Sequence, residues 1–83
     1  MELLNIFPNP VFDQDLKIQF KTQEAIDLPL MVVDASGKIW KETLVRSSGG
    51  QEEIALNLQQ LPTGMYLIRL GQQSKTLLKS TRQ

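Results

Sequence analysis

The chain has 83 residues, nine of them basic and nine acidic, and its formal net charge is zero. This length predicts one domain with a small core, and the balanced charge argues against nucleic acid or anionic lipid as partners. The absence of cysteine and histidine excludes disulfides, thiolate metal sites and catalysis by either residue. No apolar run approaches the ~20 residues that span a bilayer, so membrane insertion is not expected.

The first two strand signals are separated by a stiff turn. Leu4 and Ile6 alternate with Asn5 and are followed by Pro8-Asn9-Pro10, which predicts a short edge strand and a rigid reversal. Residues 16–21 then alternate strictly between apolar and polar, so Leu16, Ile18 and Phe20 are expected in the core.

The middle of the chain predicts a hairpin. Residues 22–27 are polar and favour a loop, with one turn of helix over 23–26 as the alternative. Residues 28–33 are an apolar run interrupted by Pro29, which indicates a strand buried on both faces or placed at a sheet edge. Asp34-Ala35-Ser36-Gly37 supplies the turn, and residues 38–45 return as the partner strand.

Residues 56–70, LNLQQLPTGMYLIRL, predict a corner between two strands. The strand over 52–58 breaks at 59–61, Pro62-Thr63-Gly64 reverses the chain, and a new strand starts at Met65. Its alternation places Tyr66, Ile68 and Leu70 on one face and Met65, Leu67 and Arg69 on the other. A tyrosine just after such a corner is typical of immunoglobulin-like sandwiches, where the phenol bonds to the preceding turn.

The last strand signal covers residues 75–80, after a link over 71–74. The whole chain thus shows about seven short strands with turn signals every eight to twelve residues or so, and no helical stripe of any length. This pattern predicts an all-β fold, an immunoglobulin-like antiparallel β-sandwich formed by residues 1–83 as a single domain.

Four pieces of sequence occur in an order that carries a family resemblance: Phe7-Pro8-Asn9-Pro10-Val11, Asp34-Ala35-Ser36-Gly37-Lys38, Leu61-Pro62-Thr63-Gly64-Met65-Tyr66 with Arg69, and Lys75-Thr76-Leu77-Leu78-Lys79. Over residues 4–79 the chain resembles the C-terminal sorting domain (type A) of the type IX, or Por, secretion system of Bacteroidetes. The matching motif positions are Pro8, Asn9, Pro10, Gly37, Leu61, Pro62, Gly64, Tyr66, Arg69, Lys75 and Lys79.

The resemblance implies a C-terminal secretion signal, which is a substrate of export machinery and neither an enzyme nor a cofactor-binding protein. The expected partners are the outer-membrane translocon, a surface sortase that usually removes the tail, and a cargo domain upstream in the same precursor. The expected route runs through the periplasm to the outer-membrane surface or the medium. Recognition is expected over residues 64–79, with Arg69, Lys75 and Lys79 as donors.

Three observations leave other interpretations open. Phe7 stands where the family commonly has tyrosine, and Val33 where it often has an aromatic residue, which weakens any receptor role for these positions. Asn9, Asp13 and Asp15 bring hard oxygens near one loop, as calcium requires, although turn formation explains them better. An exposed Trp40 would favour the alternative function, an immunoglobulin- or fibronectin-like module that binds carbohydrate or mediates adhesion at a cell surface.

Overall fold

Alternating apolar residues build two antiparallel sheets in the computed structural model, which describes residues 1–80. The strands are β1 (Glu2–Phe7), β2 (Leu16–Thr22), β3 (Ile26–Asp34), β4 (Ile39–Ser47), β5 (Gly50–Leu56), β6 (Gly64–Leu70) and β7 (Gln73–Lys79). One sheet has three strands in the order β1-β2-β5, and the other has four in the order β4-β3-β6-β7. Residues 1–80 contain no helix, so the predicted all-β sandwich of seven strands is confirmed.

The core lies between the sheets and is built by the predicted alternation. Leu16, Ile18 and Phe20 of β2 are fully buried, and Ile68 and Leu70 of β6 are fully buried in the other sheet. Burial of each such side chain stabilises the fold by about 1.5–3 kcal/mol. Because a chain of this size has a small core, these few residues account for much of its stability.

A bulge in β1 changes which residues face inward. The register between β1 and β2 shifts between Leu3 and Asn5. Leu3 and Ile6 are therefore buried, whereas Leu4 is only half-buried, so the simple alternation of Leu4 with Ile6 does not describe the inward face. An extra residue in one strand of a pair moves the following side chains to the opposite face.

The prediction that residues 28–33 are buried on both faces or lie at an edge is wrong. β3 is an internal strand between β4 and β6, and only one of its faces meets the core. Pro29 is tolerated there because β6 pairing ends at Leu30 and Leu70, and the Pro29 carbonyl accepts the N–H of Gly71 just beyond it. The missing donor of Pro29 therefore faces the point where the β6 ladder has ended.

Several strand ends differ from the sequence-based expectation. β2 and β3 extend into the predicted loop over 22–27, where residues 23–24 form a bend without the alternative turn of helix. β7 begins at Gln73, within the predicted link over 71–74. β5 ends at Leu56, and Leu58 is fully buried from the segment that follows. Among residues 1–80, no helix has the length and apolar character required to cross a membrane.

Candidate functional site

The separated motif pieces meet at one end of the sandwich, here called the motif end: residues 8–11, 34–37, 61–66 and 76–80. Val11 forms a parallel bridge with Lys79, which pairs with Gly64 at the start of β6. Tyr66 pairs in turn with Asp34 at the end of β3. This continuous row of contacts joins pieces that lie up to seventy residues apart in the sequence.

Asn9 attaches the turn after β1 to β7. Its Nδ2 donates to the carbonyl of Thr76 at 3.1 Å, and its Oδ1 accepts the N–H of Leu78 at 3.0 Å. The carboxamide therefore occupies the β7 edge as the backbone of another strand would. Val11 continues this pattern with its own backbone, since its N–H donates to Leu78 and its carbonyl accepts the N–H of Ser80, each at 2.9 Å.

This use of Asn9 agrees with the structural interpretation of the turn. Its side-chain oxygen accepts the N–H of Leu78 and so holds the turn against β7. Residues 1–80 contain no cluster of three or more acidic, histidine or cysteine side chains able to hold a metal ion.

The predicted tyrosine corner is present. The Tyr66 hydroxyl donates to the carbonyl of Pro62 at 2.6 Å. Leu61, 6% exposed, anchors the corner in the core, and its N–H donates to Leu58 at 3.0 Å. Burial of the phenol, together with the negative charge of Asp34, raises the pKa of Tyr66 above its ordinary value. The neutral, donating form of Tyr66 is therefore favoured.

Asp34 organises the β3–β4 turn. One of its oxygens accepts from the Ser36 hydroxyl at 2.6 Å, the Ser36 N–H at 2.9 Å and the Lys38 N–H at 3.0 Å. The other oxygen accepts from the Trp40 indole Nε1 at 2.9 Å. The hydrogen bonds from the Ser36 side chain and then from Trp40 hold the pKa of Asp34 well below its usual range.

Gly37 completes this turn with φ of +91°, and its N–H donates to the Asp34 carbonyl at 3.0 Å. A positive φ is readily adopted by glycine because it has no Cβ. The turn at 34–37 is therefore held by both the carboxylate and the backbone of one aspartate.

Both the indole N–H and one face of the Trp40 ring already have partners within the domain. Its Nε1 is bound to Asp34, and the Lys38 ammonium lies 4.0 Å from the centroid of its ring. A cation above the ring and a bonded indole N–H both use groups that a sugar or partner would need. Ile39, on the opposite face of β4, is 47% exposed.

The three predicted cationic donors do not form one surface. Arg69 is exposed on the outer face of β6, where its Nε donates to the Gly71 carbonyl at 3.2 Å. Lys75 and Lys79 alternate with buried Leu77 on the inward-facing side of β7. Lys79 is only 5% exposed, which places its aliphatic part against the edge of the core.

Exposed apolar residues line the outer face of the four-stranded sheet near the motif end. Met65 is 48% exposed and pairs with Leu78, which is 38% exposed, and Leu67 lies two residues further along β6. Beside them is a hollow of about 260 Å³ between the β3–β4 turn and the corner at 62–64. This volume is below the roughly 300–1,000 Å³ of small-molecule sites.

Gln73 was not singled out from the sequence, although it makes two long-range contacts. Its Oε1 accepts the N–H of Leu3 at 2.7 Å, and its Nε2 donates to the carbonyl of Met1 at 2.9 Å. A glutamine beside a turn carries no local signal of such a role. The contact between β1 and β7, which lie in different sheets, could be recognised only once the strands were placed.

The two sheets, the tyrosine corner and the attached β7 edge define the class of this protein as a small β-sandwich domain with a stiff motif end. The chain belongs to the family described as the secretion system C-terminal sorting domain, whose model matches residues 5–81. This is the sorting domain of the type IX secretion system, so the protein is exported to the cell surface or the outside. Comparisons with curated proteins and with solved structures gave no match.

Proposed function

We propose that this domain is the C-terminal secretion signal of an exported precursor and that the type IX outer-membrane translocon recognises it in its folded state. A surface sortase then separates it from the upstream cargo, after passage through the periplasm. The domain itself performs no catalysis. The observation that carries this proposal is the family match over residues 5–81, nearly the whole chain.

The arrangement of the motif end supports recognition of a folded domain over recognition of a linear tag. The side chain of Asn9 joins residues 8–11 to β7 through hydrogen bonds, and β7 pairs with the start of β6 at Gly64, beside the corner. The corner reaches the β3–β4 turn through Tyr66 and Asp34. An unfolded chain would separate these pieces, so a receptor that reads them together requires the sandwich.

The surface that best fits protein recognition is the outer face beside the motif end. Met65, Leu67 and Leu78 supply exposed apolar area, and Arg69 supplies a charged group on the same face. Apolar side chains at the centre of a contact with arginine nearby are typical of protein interfaces. Lys75 and Lys79, on the other side of β7, contribute chiefly to the edge of the core.

The test is an export assay. Residues 1–83 are fused behind a fluorescent protein that carries an ordinary signal peptide, in strains with and without a working type IX system. We expect fluorescence at the surface or in the medium only in the competent strain. Retention of the folded fusion in the periplasm of both strains would contradict the proposal.

Matched variants then locate the recognition surface. Arg69→Gln and Leu67→Ser change the outer face near β6, whereas Arg46→Gln changes an exposed residue at the far end of edge strand β4 of the same sheet. We expect the first two to reduce export while the third leaves it unchanged. Circular dichroism of each purified domain shows whether a loss of export reflects a loss of fold.

A further inference from the structure

The β1–β7 seam joins the two sheets along one side of the sandwich. Its β1 side consists of Met1, Leu3, Asn9 and Val11, and its β7 side consists of Gln73, Thr76, Leu78 and Ser80. Two carboxamides bridge it in opposite directions. Gln73 extends from β7 to bind the start of β1, and Asn9 extends from the turn after β1 to bind β7.

The two sides of the seam run parallel. Met1 and Leu3 lie opposite Gln73, Asn9 lies opposite Thr76 and Leu78, and Val11 lies opposite Lys79. Residue numbers therefore increase in the same direction on both sides. The seam extends for roughly 23 Å from Gln73 to Ser80 at the usual rise of a strand.

This direction places the two chain ends of the described domain at opposite ends of the seam. β1 starts at the Gln73 end, and β7 leaves at the Val11 end. A force that pulls residue 1 and residue 80 apart therefore slides the two sides along each other. The hydrogen bonds cross the seam and are loaded together instead of one after another.

We infer that the β1–β7 seam is a mechanical clamp, which keeps the domain folded when it is pulled between its N-terminal and C-terminal ends. This inference rests on the proposed function, in which the domain joins an upstream cargo to the translocon, so that a load between the two passes through the domain. The clamp keeps the motif end assembled while that force acts.

Burial protects the backbone part of the clamp. Val11 is fully buried, and Lys79, which lies between the two β7 residues bonded to Val11, is 5% exposed, so these two bonds are shielded on the core side. Leu3, whose N–H is held by Gln73, is 7% exposed. When the two sides slide, a hydrogen bond shielded from water breaks less readily, because it cannot be exchanged directly for a hydrogen bond to water.

The opposite side of the sandwich has a different construction. β4 and β5 are the outer strands there, and they are consecutive in the chain, joined through Ser48 and Gly49. Force applied at the chain ends reaches β1 and β7 before it reaches these strands. Resistance to pulling is therefore concentrated in the seam.

Force spectroscopy on the complete 83-residue chain tests the clamp in two directions. The chain has no cysteine, so introduced cysteines give unique attachment points. One tether joins the two termini and loads the seam by sliding. The other joins Gln14→Cys, in the exposed loop beyond Val11, to the C-terminus and opens the seam from one end. We expect unfolding between the termini to require the larger force.

Two variants and one control test whether the two carboxamides provide the resistance to unfolding. Asn9→Ala and Gln73→Ala each remove two bonds of the seam, and we expect unfolding between the termini to become about five- to thirtyfold faster at a given force. Gln59→Ala removes a carboxamide that bonds to the Asp13 carbonyl at 3.2 Å outside the seam, and we expect no comparable change.

Equal unfolding forces in the two directions would overturn the clamp, as would terminal unfolding rates that respond to Gln59→Ala as strongly as to the seam variants. If Asn9→Ala or Gln73→Ala fails to fold, the comparison of directions on the unmodified chain still decides. The proposed function is tested separately, since a domain exported normally with no directional resistance would retain the sorting role and lose the clamp.

Discussion

The indole Nε1 of Trp40 donates a hydrogen bond of 2.9 Å to the carboxylate of Asp34, across the turn that separates β3 from β4. The Lys38 ammonium lies over the same indole ring, and its backbone N–H binds the other oxygen of Asp34. The aspartate therefore fixes both the turn and the aromatic residue that follows it. Because Asp34 also pairs with Tyr66, this arrangement positions one side of the motif end.

The ionised form of Asp34 is expected to stabilise the fold in a defined pH range. Its pKa in the folded state lies below the ordinary value of 3.8, so the unfolded chain takes up the proton first as the pH falls. Stability from this charge is therefore complete well above the ordinary value and declines as the pH falls below about 4 toward the lowered pKa of the folded state. Asp34→Asn should lower stability at neutral pH and flatten this decline.

Urea unfolding from pH 7 to pH 2, followed by the fluorescence of the single tryptophan, measures this effect. Glu52 supplies an internal comparison, because the Ser48 N–H and then the Ser47 hydroxyl lower its pKa as well. Some pH dependence should therefore remain in Asp34→Asn and decrease further on adding Glu52→Gln. Parallel curves for Asp34→Asn and the unmodified chain would contradict the role of the Asp34 charge.

Tyr66→Phe should remove the hydrogen bond to Pro62 while keeping the buried ring. Loss of one such bond is expected to lower the free energy of unfolding by about 1 kcal/mol. The Tyr66 pKa is raised above 10.0 by burial first and by Asp34 second, so the unfolded chain ionises first as the pH rises. The advantage of tyrosine over phenylalanine should therefore be complete below pH 10 and shrink above it.

Urea midpoints of both proteins from pH 7 to pH 11 check this prediction, and comparison of the two proteins cancels the titration of the lysines. The single tyrosine also permits direct titration by absorbance. A difference in stability that stays constant across this range would show that ionisation of Tyr66 is not linked to folding.

Strand positions and the tyrosine corner could be predicted from the sequence because they depend on local patterns. The alternation at Leu16, Ile18 and Phe20 identifies a face without knowledge of any partner strand. The corner was predicted correctly because the turn residues and Tyr66 lie within a few positions of each other. The resemblance of the four motif pieces was likewise sufficient to recognise the family.

The features missed from the sequence depend on contacts between distant residues. Pro29 favoured a sheet edge, but its position beyond the end of β6 pairing makes it acceptable in an internal strand. The bulge in β1 buries Leu3 and leaves Leu4 half-buried, which the alternation of Leu4 with Ile6 does not indicate. Gln73 and Asn9 acquire their roles only from the approach of β1 to β7, which no local pattern describes.

Substitution of Gly37 tests the geometry of the β3–β4 turn. Its φ is +91°, and a Cβ placed there would meet no atom within 4 Å, so the cost of alanine comes from the backbone alone. We expect Gly37→Ala to lower the free energy of unfolding by about 1–2 kcal/mol. Gly37→Asn should cost less, because asparagine tolerates a positive φ better than alanine does.

If the three proteins have equal m-values, their urea midpoints give this order of stability directly. The Trp40 fluorescence of the folded proteins shows whether the turn retains its contact with the indole. Alanine and asparagine variants as stable as the unmodified chain would indicate that the turn relaxes freely when glycine is replaced.

Substitutions of two neighbouring residues of β6 distinguish whether export requires the folded domain or also its outer face. Ile68 is fully buried, so Ile68→Ala should lower the free energy of unfolding by about 2–5 kcal/mol. A chain of 83 residues has a total stability of about 4–12 kcal/mol, so this loss is a large part of it. Leu67 is 39% exposed on the opposite face, and Leu67→Ala should change stability by about 0.5 kcal/mol or less.

The same two variants in the export fusion give the functional comparison. If the translocon requires the folded domain, Ile68→Ala should reduce export in proportion to the unfolded fraction, and growth at lower temperature should restore it. If the outer face also makes contact, Leu67→Ala should reduce export although the domain stays folded. Full export of an Ile68→Ala domain shown to be unfolded by circular dichroism would mean that the translocon reads a linear segment, since the motif pieces would then no longer be held together.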